Sequence, residues 1–215
     1  MKRREIITGG LALGALSAFP ARAGAQGLTQ AFDLTFAQPA TTAAYERHLG
    51  EIARREVERA GAKLWRKDVV GIADYARPSS LPRLHFVNME SGKIRSFLVA
   101  HGKGSDPEHD GWLKHFSNYP GSEATSRGSY LTCEWYNGKY GTSIRLVGLD
   151  GDNSTALDRA IVLHPAAYVD PSMIEKFGKI GRSQGCFAMA PGDFNEALWH
   201  LSGGRLLFAD RIGEA

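Results

Sequence analysis

Cysteine is nearly absent: Cys133 and Cys186 are the whole supply in 215 residues, too few for the disulfide frameworks that staple small secreted domains. Other signatures are missing too. The Gly-x-Gly of His101-Gly102-Lys103-Gly104-Ser105 has neither a GKS or GKT ending nor a following helix pattern, so it is no phosphate cradle. His101, His109 and His115 match no zinc spacing, and Asp150-Gly151-Asp152-Asn153 lacks the rest of a calcium loop. No metal and no cofactor is expected. A formal net charge of +3 is too small to argue for nucleic acid. No repeat or low-complexity segment interrupts the chain.

What is present suits one soluble domain with a core of its own: 43% hydrophobic and 23% charged residues. The first 25 residues read as a targeting segment. Lys2, Arg3 and Arg4 give a basic start with a twin arginine, and Ile6 to Phe19 is apolar but broken by Gly9, Gly10 and Gly14. That stretch is shorter than the roughly 20 residues of a membrane span. Ala21-Arg22-Ala23 then offers a cleavage pattern. The expectation is a Tat-type signal over 1–25, export to the periplasm or cell envelope, and no stable membrane insertion after cleavage.

Residues 26–68 form a helical N-terminal extension in this reading. Tyr45, Leu49, Ile52, Val57, Ala60 and Leu64 recur at helical spacing among Glu and Arg, with Thr41 or Thr42 as cap. From 69 onward the pattern turns to strands: Val69–Tyr75, Arg83–Met89, Lys93–Ala100, Ser126–Tyr136, Thr142–Leu149 and a closing Arg205–Ala209. Ala156 to Arg159 leads into a further strand, Ile161 to His164. Short helices are expected within Tyr168–Phe177, capped by Asp170 or Ser172, and from Asp193 through Leu201. The fold class is mainly β (α+β), with the helices peripheral.

The chemistry concentrates between Arg159 and Met189. The aliphatic run Ile161-Val162-Leu163 ends at His164, and Gly181-Arg182-Ser183-Gln184-Gly185-Cys186 places a thiol directly after a glycine in a polar loop. A thiol of pKa about 8.5 needs a base to act as nucleophile at neutral pH. His164 is the candidate base. Gly185 would let a reacting carbonyl approach the main chain, Ser183 would orient the loop or the imidazole, and Arg182 is either a grip for substrate carboxylate or one half of a surface ion pair. Alternatively Cys186 is tied to Cys133 or buried, which would leave a non-catalytic binding module.

His164 followed by Ser183-Gln184-Gly185-Cys186 resembles the His…Ser-x-Gly-Cys signature of L,D-transpeptidases, the YkuD-type cysteine enzymes, and more closely their murein L,D-transpeptidase branch. LVAHGKGS (98–105), FSN (116–118), SRGSYLT (126–132) and GTSIRLVGLDGDN (141–153) extend the resemblance over roughly Val69 to Ala209. It implies a YkuD-like β-sandwich or open barrel, with 69–215 as catalytic domain. It implies a Cys186 thioester on peptidoglycan stem peptides, with D-Ala released and the acyl group passed to an amine, or to water in an L,D-carboxypeptidase or endopeptidase. Backbone N–H groups around Gly185 and Cys186 would then face the oxyanion, and His101 becomes a substrate-side candidate. Two positions depart from the family pattern: Pro165 follows the histidine, and Phe187-Ala188-Met189 follows the cysteine where an arginine is usual.

Overall fold

The computed structural model describes residues 41–213. The expected signal over 1–25 and the first part of the helical extension lie outside them. Among the described residues, no helix is long and apolar enough to cross a membrane.

Helix α1, Ala43–Ala60, is opened by Thr42, whose hydroxyl accepts the Tyr45 N–H. Its buried stripe of Tyr45, Leu49, Ile52, Ala53 and Ala60 follows the helical period and shares a hydrophobic cluster with Val70, Ile72, Val87, Leu206 and Phe208. The helix is therefore packed on the sheet. The chain then makes β1 (Val69–Asp74), β2 (Leu84–Asn88), β3 (Ile94–Phe97), β4 (Val99–Ala100), β5 (Gly128–Gly138), β6 (Gly141–Gly148), β7 (Val162–Pro165), α2 (Pro171–Phe177), β8 (Phe187–Met189), α3 (Phe194–His200) and β9 (Leu206–Asp210).

These nine strands form one mixed sheet in the order β3-β2-β1-β9-β5-β6-β7-β8-β4. β3 and β4 hold its opposite edges, yet only Leu98 separates them in the chain. Consecutive Cα atoms lie 3.8 Å apart, so the two edges must meet and the sheet must curl into an open barrel. Alternation sorts the side chains: Val70 and Ile72 face α1, whereas Val69 and Ala73 join the interior with Tyr130, Leu146, Leu163, Phe187 and Met189. A third cluster, Ala100, Val169, Ile180, Ala188 and Ala190, lies beneath the 166–180 segment.

Most expected elements appear within a residue or two, and three details differ. The expected strand from Lys93 to Ala100 is broken at Leu98, where the chain passes from one edge to the other. Residues 154–160 make turns rather than entering β7. β8, three fully buried residues, was not expected as a strand; it pairs parallel with β7 and antiparallel with β4.

Candidate active site

β7 and β8 bring the two candidate residues together. Their parallel register pairs Leu163 with Phe187 and His164 with Ala188, which sets Val162 beside Cys186, one residue before β8 begins. Residues two apart in a strand share a face. His164 and Cys186 therefore project to the same side of adjacent strands, one pleat apart, and both are nearly covered, with 3% and 7% exposure.

The His164 ring is held at one nitrogen. Nδ1 lies 2.9 Å from the Pro165 carbonyl oxygen, which can only accept, so Nδ1 carries the proton and Nε2 presents a lone pair. The Tyr140 ring, on the turn between β5 and β6, stacks on the imidazole at 4.6 Å and 22°. Burial pushes the His164 pKa down, opposed by the Pro165 hydrogen bond. Burial likewise pushes the Cys186 thiol up, opposed by a hydrogen bond from the Val162 backbone and by the Arg159 charge. The thiol points to the Ala160 carbonyl at 3.7 Å, and among the described residues no hydrogen bond joins it to His164. The resting pair is thus a neutral thiol and a neutral imidazole, the arrangement in which a base can still take the proton.

The loop that presents Cys186 is shaped by Ser183 and Gly185. Ser183 Oγ donates to the Cys186 carbonyl (2.6 Å) and accepts the Gly185 N–H (3.1 Å). Its backbone N–H goes to the His101 carbonyl, and its carbonyl takes the Lys103 N–H. Ser183 is thus tied into the loop at its side chain and backbone, and among the described residues it makes no hydrogen bond to the imidazole. Gly185 has φ +110°, and a Cβ there would lie 2.8 Å from the Ala124 carbonyl, so only glycine fits. Its N–H, expected to face an oxyanion, is occupied by Ser183.

Arg182 is half-buried, and its Nη1 donates to the carbonyls of Asp106 and Pro107. These partners are neutral, so of the two readings of Arg182 the surface ion pair is absent among the described residues. His101 sits differently from the expected substrate contact. It is 1% exposed, with the Arg83 guanidinium on Nδ1 at 2.8 Å and Asp106 Oδ2 on Nε2 at 3.1 Å. With both nitrogens occupied inside the protein, it reaches the site only through its carbonyl, which holds Ser183. Both cysteines are free and buried. Among the described residues no three His, Cys, Asp or Glu side chains gather as a metal cluster.

The sequence did not say which carbonyl would hold the imidazole or which aromatic ring would cover it, roles taken by Pro165 and Tyr140, and it passed over Arg159. Arg159 had a legible signal as the charged residue opening RAIVLH, but nothing in the sequence said which segment it would meet.

Residues 43–209 match the family model of the L,D-transpeptidase catalytic domain. The chain belongs to the L,D-transpeptidase catalytic domain family. Among curated proteins none matches. Solved structures of similar fold include an L,D-transpeptidase from Mycobacterium smegmatis (14% identity, 66% of this chain and 58% of that one, TM-score 0.41). The helical cell shape determining protein Pgp2 of Campylobacter jejuni is also similar (13%, 75% and 56%, 0.44), as is the L,D-transpeptidase of Xylanimonas cellulosilytica (13%, 73% and 68%, 0.40). The chain spans 58% of the length of the Mycobacterium smegmatis protein. The family match starts at the first residue of α1. In this L,D-transpeptidase domain the helix and the strands share one hydrophobic cluster.

Proposed function

We propose that the protein is an exported cysteine acyltransferase acting on peptidoglycan stem peptides in the periplasm or cell envelope, an L,D-transpeptidase that makes 3-3 cross-links. The observation that carries the reading is the shared face of His164, on β7, and Cys186, just before β8, with Nε2 the uncommitted nitrogen. His164 Nε2 takes the Cys186 proton, and the sulfur attacks the carbonyl carbon preceding the fourth-position D-Ala. The C–N bond breaks, the proton passes from His164 to the departing amine, and a thioester remains. An acceptor amine then attacks, gives its proton to His164, and the C–S bond breaks to restore the thiol. Arg182 has only carbonyl partners among the described residues, so its charge is left to meet the D-Ala carboxylate.

The test is mass spectrometry of products after incubation with disaccharide tetrapeptide, beside a Cys186→Ala control. Dimers lacking the fourth D-Ala are expected. Tripeptides alone would replace the acceptor amine by water and make the enzyme an L,D-carboxypeptidase. Unchanged substrate would overturn the reading in favour of an endopeptidase or a binding module.

A further inference from the structure

Arg159 is partly buried and donates four hydrogen bonds into one neighbouring segment. Nη1 reaches the Ser117 carbonyl (2.9 Å) and Ser126 Oγ (2.7 Å); Nη2 reaches the Ala124 carbonyl (2.6 Å) and Ser122 Oγ (3.3 Å). All four acceptors are neutral oxygens, and no carboxylate pairs with this guanidinium among the described residues. Nη2 also lies 3.2 Å from the place a Cβ on Gly185 would occupy, with the Ala124 carbonyl 2.8 Å from the same point. The guanidinium is therefore pressed between the 117–126 segment and the turn that presents the nucleophile. The next residue, Ala160, has φ +52°, rare for a side chain with a Cβ, and its carbonyl is the acceptor of the Cys186 thiol.

We infer that Arg159 is a positioning residue for the nucleophile: it clamps the 117–126 segment under the Gly185 turn and holds an uncompensated positive charge beside Cys186. The inference rests on the reading of Cys186 as nucleophile, though not on the identity of the substrate. A guanidinium stays charged at neutral pH, and a cation near a thiol favours the thiolate that burial disfavours. Among the described residues Arg159 is the cation whose charge opposes the upward push of burial on the Cys186 thiol. The other ionisable groups facing this pair are His164 on the same strand face, Tyr168, whose phenol is pushed up by burial and by Cys186, and Tyr130 beside Arg159.

The test reads the thiol itself. In the full chain carrying Cys133→Ser, the rate of Cys186 alkylation by iodoacetamide is followed by intact mass from pH 6 to 10. Arg159→Met should move the midpoint up by about one pH unit and slow alkylation at pH 7 about tenfold, while Arg159→Lys, which keeps the charge, should restore most of the shift. If Arg159→Met does not fold, Arg159→Gln keeps an amide donor for the Ala124 carbonyl and carries the same expectation. An unchanged midpoint, or faster alkylation at every pH, would reduce Arg159 to a loop brace and overturn the inference. A shifted midpoint without turnover of disaccharide tetrapeptide would leave it standing and sink the proposed substrate alone.

Discussion

His101 and His164 are both buried, both lie within reach of the same loop, and burial holds both rings neutral, His101 down to a pKa of about 3. They differ in what their nitrogens do. His101 is clamped on both sides, by Arg83 and by Asp106, and Asp106 in turn accepts the Asp110 and Gly111 N–H groups. His164 commits Nδ1 to the Pro165 carbonyl and has no second hydrogen-bond partner among the described residues. Burial and a depressed pKa therefore do not separate a base from a brace. The vacant acceptor does, because a nitrogen already donating or accepting inside the protein cannot take a proton from a thiol.

The sharpest way to break this comparison is to exchange the consequences. Cys186→Ala should abolish turnover and His164→Ala should lower it by about 10²- to 10⁴-fold, each with a melting temperature close to that of the parent by circular dichroism. His101→Ala should do the reverse. It strands the buried Arg83 and Asp106, so denaturant titration should show a loss of roughly 3 kcal/mol, while the folded fraction keeps its turnover within about tenfold. A His101→Ala enzyme that is fully stable and inactive would erase the distinction.

Acid offers a milder probe of the same contrast. His101 and His85, the latter held near pKa 4 by burial, stay neutral in the folded state while their unfolded counterparts take up protons below about pH 6.5. The unfolded chain then binds more protons, so stability falls as pH drops from about 6.5 toward 4. A His85→Gln variant, melted over that range, should lose part of the slope; an unchanged slope would exclude this histidine from the acid response. The smallest effect is expected at Tyr140, which is 40% exposed and covers one face of His164. Tyr140→Ala lets water reach the ring, raises its pKa toward the ordinary value, and should move the acid limb of the pH–rate profile up by about half a unit. No movement would make the stacking a packing contact only.

Several parts of this architecture were legible beforehand because their signals are local. The helical stripe from Tyr45 to Ala60 depends only on the period at which side chains return to one face, and β1, β2 and β9 show as short aliphatic and aromatic runs that end up buried along nearly their whole length. β8 was hidden, since Phe187-Ala188-Met189 is too short to show a period and becomes a strand only between β7 and β4. The break at Leu98 was hidden for a related reason. An unbroken apolar run cannot reveal that one residue inside it bridges the two edges of a closing sheet.

By itself the sequence determined the chemical parts: a glycine-shaped loop ending in a thiol, a histidine at the end of an aliphatic strand, and enough apolar periodicity for one mainly β domain. Which nitrogen of which histidine is available was decided by tertiary structure, because it depends on how groups approach the rings in space, whether the carbonyl of the very next residue, Pro165, or a guanidinium from a separate segment, Arg83. Pro165 holds one ring, Arg83 and Asp106 lock the other, and Arg159 is set beside Gly185 by its hydrogen bonds to residues 117–126. Hydrogen-bond geometry is a property of three-dimensional approach, and no spacing along the chain encodes it.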